Sequence, residues 1–156
     1  MGLKGADGEP LTPEQLAASE TIPKACIVAE PSEDERNRGA NIRVRYFTPQ
    51  DAHSSLAVTG GACLAAGCLI PGTVARELAI EVSTLSPDLV EHEVKMANPA
   101  GLLKATIEGN CAEDGTITMP SAAYERSTQI LLRGHTPIYN ASDDLLAHYR
   151  NFADAA

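Results

Sequence analysis

The sequence has no tryptophan and few other aromatic residues, with four tyrosines and two phenylalanines among 156 residues. Binding by aromatic stacking, as in single-stranded nucleic acid recognition, is therefore not expected. Positive charge is also scarce, since 12 Lys and Arg face 21 Asp and Glu for a net charge of −9. Such a chain repels phosphate backbones and anionic lipid surfaces. We therefore expect neither nucleic acid nor a membrane as partner, although a small anion can bind where local positive groups dominate.

Long apolar runs and metal-ligand motifs are missing as well. No run approaches the roughly 18 to 20 apolar residues that span a bilayer, and the opening residues lack the apolar centre of a signal peptide. The cytoplasm is therefore the expected compartment. The four cysteines form no CxxC pair and have no histidine at metal-ligand spacing, so we expect no metal. We expect reduced thiols that pack as small apolar groups: Cys26, Cys63, Cys68 and Cys111.

The chain is long enough to form one domain around an aliphatic core. Thr12 is predicted to cap a short helix over residues 13–19. A buried strand is predicted over residues 24–29, where an apolar run lies between prolines, and a half-buried strand over residues 42–47, where apolar and basic residues alternate. The charged, turn-rich stretch over residues 30–41 is typical of a solvated loop.

The stretch over residues 57–70 carries no charge and is small or aliphatic at nearly every position. It predicts a helix without a polar face, which must be enclosed on all sides. Strand patterns separated by turns follow at residues 89–96, 102–108 and 129–133. The count is about six or seven strands around one central helix, an α+β arrangement. A last polar helix is predicted over Asp143–Phe152, capped by Ser142.

The start of the uncharged helix, Thr59-Gly60-Gly61, is the candidate site. First-turn amides have no intrahelical acceptor and carry the positive end of the helix dipole, and glycine lets a carboxylate approach them. The alternative is that Thr59 serves as an ordinary helix cap. The polar stretch over residues 48–55 leads into this helix, and its side chains need partners, of which a ligand is one candidate.

Five motifs in this order resemble the second half of the PrpF-like isomerases, a family that includes methylaconitate, aconitate and oxalomesaconate isomerases. The resemblance covers roughly residues 24–140, and the order is more specific than any single motif. The motifs are Val44–His53, Ala57–Gly60, Ile70–Val74, Asn98–Gly101 and Arg126–Gly134.

The resemblance implies the diaminopimelate-epimerase fold, in which two similar domains each wrap a barrel-like, mostly antiparallel sheet around a central apolar helix. The substrate then lies between the two helix N-termini. One such domain is expected over residues 24–140, after an N-terminal extension with a short helix over residues 1–23 and before a helical tail over residues 141–156. The implied reaction is proton transfer between allylic carbons of a tricarboxylate by an acid–base pair, without a cofactor.

By the same resemblance, the catalytic Lys and Cys of the family belong to the first domain, and no corresponding segment is found in this sequence. We therefore assign no catalytic residue, and Cys63, more than a turn inside the helix, is not taken as an acid or base. Val58 stands about where related epimerases have a second catalytic Cys.

The residues carried over from the resemblance are assigned to substrate binding. The amides of Thr59, Gly60 and Gly61 are expected to hold a carboxylate, and the side chains that line the same mouth are Gln50, Asp51 and His53.

Several of these residues have a structural alternative. His53 is either a site residue or a surface or capping histidine, and Asp51 is either a ligand contact or a turn cap. Arg43 and Arg45 either pair with substrate carboxylates or form the solvated face of a strand. Asn98-Pro99-Ala100-Gly101 departs from the His-Pro-Ser-Gly common in relatives, which changes two side chains able to contact a ligand.

The leading expectation is the C-terminal domain of a PrpF-like isomerase that acts on aconitate-type tricarboxylates and is inactive without a first domain. The second is a non-catalytic, self-dimerising domain that binds a small acid or another partner. The third is a folded remnant without a function of its own. Exposed apolar surface left by an absent partner domain favours a dimer.

Overall fold

The structure is a computed structural model, and it describes residues 3–5, 8–19, 22–49, 51–126, 129–134 and 139–153. The chain forms two compact units, Met1–Arg126 and Ser127–Ala156. The helices are α1 (Pro13–Ala18), α2 (Glu33–Asn37), α3 (Val58–Leu69), α4 (Val74–Leu78) and α5 (Asp143–Ala153), and the strands are β1 (Ala25–Ala29), β2 (Ile42–Phe47), β3 (Val90–Asn98), β4 (Gly101–Cys111) and β5 (Ile117–Tyr124). The predicted α+β class is confirmed, while the predicted domain boundaries stay predictions.

The five strands of the described residues form one mixed sheet in the order β1-β2-β3-β4-β5. Neighbouring strands are antiparallel except β2 and β3, which pair in parallel at Ile42 with Met96 and Arg43 with Ala97. The sheet is open, because β1 and β5 are its two edges. The count of six or seven strands was therefore too high for the residues described.

The core forms where one face of the sheet packs against α3. Ile42, Val44 and Tyr46 of β2 are buried, as their alternation with Arg43 and Arg45 predicts. The rest of the core comes mainly from α3, β3 and β4. These elements contribute Leu64, Ala65, Cys68 and Leu69 from α3, Val94 and Met96 from β3, and Ala105 and Ile107 from β4.

Helix α3 is confirmed, but the prediction that it is enclosed on all sides is wrong. Leu64, Cys68 and Leu69 are buried, whereas Thr59 and Cys63 are exposed and Val58 is 41% exposed. The reason is the open sheet, which covers one side of the helix and leaves the other uncovered. An uncharged sequence therefore did not require burial all round.

Local capping signals at the chain ends are confirmed. Thr12 and Gln15 form a capping box at the start of α1. The Ser142 hydroxyl accepts a hydrogen bond from the Leu145 amide at 3.2 Å at the start of α5. Both helices therefore begin where their sequences predicted.

Other expectations need correction. The predicted loop at residues 30–41 contains α2, which begins with a capping box formed by Ser32 and Glu35. This short helix has no apolar face, so the hydrophobic pattern does not predict it. Strand β1 is an edge strand rather than a buried one, and its Ile27 is 65% exposed. Residues 129–133, predicted as a strand, have no regular secondary structure, and the exposed fractions of Ile130, Leu131 and Leu132 are 71%, 86% and 88%. Helix α4 and strand β5 were not predicted.

Candidate functional site

The start of α3 presents backbone amides without an intrahelical acceptor. Its N-cap, Ala57, has an extended backbone and makes no side-chain hydrogen bond to the helix. The first helical bond runs from the Gly61 amide to the Ala57 carbonyl at 2.7 Å, so the amides of Val58, Thr59 and Gly60 precede it. Thr59 lies in the first turn and is exposed, so it does not occupy the cap position. Among the described residues, no side chain accepts a hydrogen bond at the positive end of the α3 dipole.

The two glycines of this turn have a packing role that the sequence did not reveal. A Cβ on Gly60 would overlap the ring of Tyr46, and one on Gly61 would overlap the ring of Tyr124. The Tyr124 hydroxyl donates to the Leu56 carbonyl, with an O–O distance of 3.5 Å. Helix α3 therefore begins between two tyrosine rings, and glycine is needed there whether or not a ligand binds.

His53 lies in the polar stretch between β2 and α3 and is partly buried. Its amide donates to the Tyr46 carbonyl at 2.8 Å, and its ring meets the Tyr46 ring edge-on with centroids 5.9 Å apart. His53 Nδ1 accepts a hydrogen bond from the Ser55 amide at 3.0 Å. An accepting Nδ1 places the ring proton on Nε2, which leaves that N–H as a donor.

Asp51 and Gln50 are the other two side chains predicted to line the start of α3. Asp51 is exposed, and its carbonyl accepts hydrogen bonds from the Thr48 amide at 2.9 Å and the Thr48 hydroxyl at 3.0 Å. Asp51 thus closes a turn through its backbone. Gln50 lies outside the described residues.

Asn98 connects the β3–β4 turn to the same stretch. Its Nδ2 donates to the Gly101 carbonyl at 2.9 Å, and its Oδ1 accepts from the Ala100 amide at 3.0 Å. The Ser55 hydroxyl also donates to Asn98 Oδ1 at 3.4 Å. This side chain therefore stabilises its own turn.

The two arginines of β2 differ in their surroundings. Arg43 Nε donates to Glu35 Oε2 at 2.7 Å, so its charge is compensated within the fold. The Ser32 backbone amide, and after it Arg43, lower the pKa of the Glu35 carboxyl. Arg45 is exposed, and both arginines line a cavity of about 190 Å³ that also includes Asn98. Of the pair, Arg45 is the one whose charge is open to an anion.

A larger cavity of about 300 Å³ lies beside the start of α3, between this helix and β1. Thr59, Gly60 and Cys63 line its helix side, and Lys24 and Cys26 line the side of β1. Burial raises the pKa of the Cys26 thiol, and the nearby Cys63 raises it further. This cavity was not predicted from the sequence, because it depends on the strand register that places Cys26 opposite Tyr46. A carboxylate on the first-turn amides would lie at the edge of a largely apolar recess.

The described residues contain no group of three or more His, Cys, Asp or Glu residues placed to hold a metal ion. Among the same residues, every helix is too short or too polar to cross a membrane.

Comparisons with known proteins agree with this fold. The family model described as PrpF protein matches residues 7–139. A (4E)-oxalomesaconate Delta-isomerase from Novosphingobium sp. (strain KA1) is 30% identical over 114 residues, which are 73% of this chain and 28% of that protein. A 4-oxalomesaconate tautomerase from Pseudomonas putida (strain KT2440) is 40% identical over 58 residues, 37% of this chain and 15% of that protein.

A solved structure, the crystal structure of a methylitaconate-delta-isomerase, matches with a TM-score of 0.50 and 18% identity. The match covers 73% of this chain and 32% of that one, and it supports the fold alone. The chain thus spans less than a third of the length of these relatives.

Proposed function

Because this chain belongs to the PrpF family of isomerases, we propose that it supplies the carboxylate-binding side of an isomerase active site. The substrate is an aconitate-type tricarboxylate, and the reaction is a double-bond shift or cis–trans change by allylic proton transfer without a cofactor. The observation that carries the proposal is the uncapped first turn of α3, with three amides next to a 300 Å³ cavity.

In this proposal one carboxylate of the substrate accepts hydrogen bonds from the amides of Val58, Thr59 and Gly60. The Nε2–H of His53, the hydroxyl of Thr59 and the side-chain amide of Gln50, from the lead-in stretch, are further donors for the substrate carboxylate. An ionised Asp51 carboxylate only accepts hydrogen bonds, so it does not donate to that group. The carbon skeleton extends over the cavity wall. The role of these groups is binding and orientation, which places the reacting carbons in reach of an acid–base pair.

We assign the acid–base pair to a first domain that pairs with this one. The open sheet favours such a partner, because no strand of the described residues pairs with the outer edge of β1 and α3 has an exposed face at Val58 and Cys63. Additional strands at this edge would complete a barrel-like sheet around α3. The second candidate function, a self-dimerising acid-binding domain, rests on the same surface and would have a second copy of the chain cover it.

The amide site can be tested without disturbing the tyrosine contacts. Ala57→Asp places a carboxylate at the N-cap of α3, where it accepts from first-turn amides and stabilises the helix by about 0.5–2 kcal/mol. The same carboxylate should exclude a ligand carboxylate. Calorimetry with cis-aconitate should therefore show at least tenfold weaker binding while the free energy of unfolding in urea rises.

The matched control is Ser54→Asp, which adds the same charge at an exposed position before the helix. It should bind cis-aconitate nearly as well as the unchanged chain. Unaltered binding by Ala57→Asp would overturn the amide site, because stability and affinity are expected to change in opposite directions.

The assignment of the acid–base pair has its own test. The purified 156-residue chain should not isomerise cis-aconitate or methylaconitate, and should gain activity when a first domain carrying the family Lys and Cys is added. Turnover by the chain alone that disappears in Cys63→Ser would contradict this assignment.

Sedimentation velocity then separates the two candidate functions, since a dimer that Ile27→Lys converts to monomer supports self-association through the β1 edge.

A further inference from the structure

Ser83 and His92 form a hydrogen-bonded pair in the sheet unit. Ser83 lies in the connection between α4 and β3, and its Oγ is 2.6 Å from Nδ1 of His92 in β3. His92 is 4% exposed, and it is the one buried polar or charged residue among the described residues. The Ser83 residue itself is exposed. The pair thus places a hydroxyl at the surface with a nitrogen base behind it.

The other ring nitrogen fixes where the imidazole proton resides. His92 Nε2 lies 3.3 Å from the carbonyl oxygen of Gly109, and a carbonyl can only accept. Nε2 therefore carries the proton, and Nδ1 presents its lone pair to the Ser83 hydroxyl. A nucleophile, a base and a group that orients the base are arranged in the order that activated serines use.

The chain holds both ends of this arrangement in place. Gly109 sits where the β4–β5 register shifts between Glu108 and Asn110, and bulges of this kind redirect backbone groups. A Cβ at Gly109 would lie 3.2 Å from Met119 Cγ and 3.3 Å from Leu85 Cδ2, so glycine fits this position best.

On the serine side, Val82 is buried and its carbonyl accepts from Arg76 Nη1 at 3.2 Å. Further along the same connection, the Ser86 carbonyl accepts from the Cys111 amide at 2.8 Å. The backbone is therefore anchored on both sides of Ser83, which limits the movement of its hydroxyl.

We propose that Ser83 is a nucleophile activated by His92 and that it accepts acyl groups from activated esters. Ser83 Oγ attacks the ester carbonyl while its proton passes to His92 Nδ1. The tetrahedral intermediate then expels the aryloxide, which leaves an acyl-serine and an imidazolium that retains its hydrogen bond to Gly109. This activity is independent of the site at α3, since the elements and residues involved are different.

The experiment uses 4-nitrophenyl acetate with the full chain, followed by intact mass and peptide mapping. One acetyl group is expected on Ser83, with release of one equivalent of 4-nitrophenolate. Ser83→Ala should lose this adduct, while Ser86→Ala, which removes a hydroxyl bonded to the Asp88 carbonyl, should keep the rate. Removing the base in His92→Asn should slow acetylation of Ser83 by about 100-fold or more.

The comparison of Ser83→Ala with Ser86→Ala decides the result even if His92→Asn does not fold, because both serines lie outside the core. An adduct found elsewhere while Ser83 stays unmodified would overturn the proposal. Equal rates of Ser83 acetylation in the unchanged chain and in a folded His92→Asn variant would also overturn it, since an unactivated hydroxyl would then be sufficient.

Discussion

The ring of Tyr46 lies against the backbone of Gly60, at the place where any other residue would carry its Cβ. The ring of Tyr124 has the same relation to Gly61. These contacts hold the first turn of α3 between two strands of the sheet, β2 and β5. The amides of that turn are therefore fixed by packing before any ligand arrives, which lowers the entropy lost on binding.

Gly60→Ala should destabilise the domain by about 1–3 kcal/mol, because the added methyl group overlaps the Tyr46 ring. Gly67→Ala is the matched control in the same helix, since its Cβ would meet Ala75 Cβ at an ordinary 3.5 Å. That variant should gain up to about 1 kcal/mol from the better helix propensity of alanine. Urea unfolding of both variants measures the difference, and shifts of the same sign would show that the ring contact does not constrain Gly60.

The same contact shows what the sequence could and could not supply at this site. The uncharged run over residues 57–70 predicted a helix, which is confirmed, whereas the binding role of its glycine-rich start stays a prediction. The reason for Gly60 lies in Tyr46 and that for Gly61 in Tyr124, residues that only the strand arrangement brings near. Pairwise distances of that kind leave no periodic signal in a sequence.

In the fold as well, local features were predictable from the sequence and features that depend on tertiary contacts were not. Signals within a few residues, such as the Thr12–Gln15 capping box and the alternation along β2, predicted their elements correctly. The exposed face of α3 was mispredicted, because exposure depends on which strands close around the helix. The apolar run at residues 129–133 has a strand composition but no regular secondary structure, because composition alone does not determine whether a segment forms a strand.

Asn41 offers a second stability test, since its side chain bridges two parts of the sheet unit. Its Oδ1 accepts from the Lys95 amide at 2.7 Å and its Nδ2 donates to the Ile80 carbonyl at 3.0 Å. Asn41→Ala should lower the free energy of unfolding by about 1–3 kcal/mol, because it leaves partly buried backbone groups without a partner.

Asn110→Ala is the control for this loss. Its Nδ2 makes an exposed hydrogen bond to the Pro87 carbonyl at 3.0 Å, which water can replace. A cost below about 1 kcal/mol is expected. Equal losses in thermal or urea unfolding for the two asparagines would contradict the bridging role of Asn41.

The Glu35 carboxyl should contribute to the acid sensitivity of the fold. Its folded-state pKa is lowered, first by the Ser32 amide and also by Arg43. The unfolded chain therefore takes up this proton first as pH falls, so the stabilisation is complete above the unfolded-state pKa of about 4.3 and is lost as pH drops through the folded-state pKa.

Glu35→Gln should accordingly reduce stability at neutral pH and flatten the decline between about pH 5 and pH 3. Glu33→Gln, in the same helix but with an exposed side chain, serves as the control. Unfolding measured across this range decides the point. A Glu35→Gln curve parallel to that of the unchanged chain would show that the Glu35 proton is not linked to folding.

The cysteines give the last prediction and connect it to the proposed site. Burial raises the pKa of the Cys68 thiol to about 12, and the residue is fully buried, whereas Cys63 is exposed on the wall of the larger cavity. Because the thiolate is the nucleophile, iodoacetamide at pH 8 should modify Cys63 quickly and Cys68 only when the chain unfolds.

Cys63→Ser should remove the Cys63 contribution to the fast phase, while Cys68→Ser should leave that contribution intact and weaken the core. If a carboxylate ligand binds at the start of α3, its body covers the recess, so saturating cis-aconitate should slow the alkylation of Cys63 several-fold. Alkylation of Cys26, on the opposite wall, should slow with it, because both thiols line the same cavity. Protection of neither thiol by a ligand that calorimetry shows to be bound would place the bound acid away from this recess.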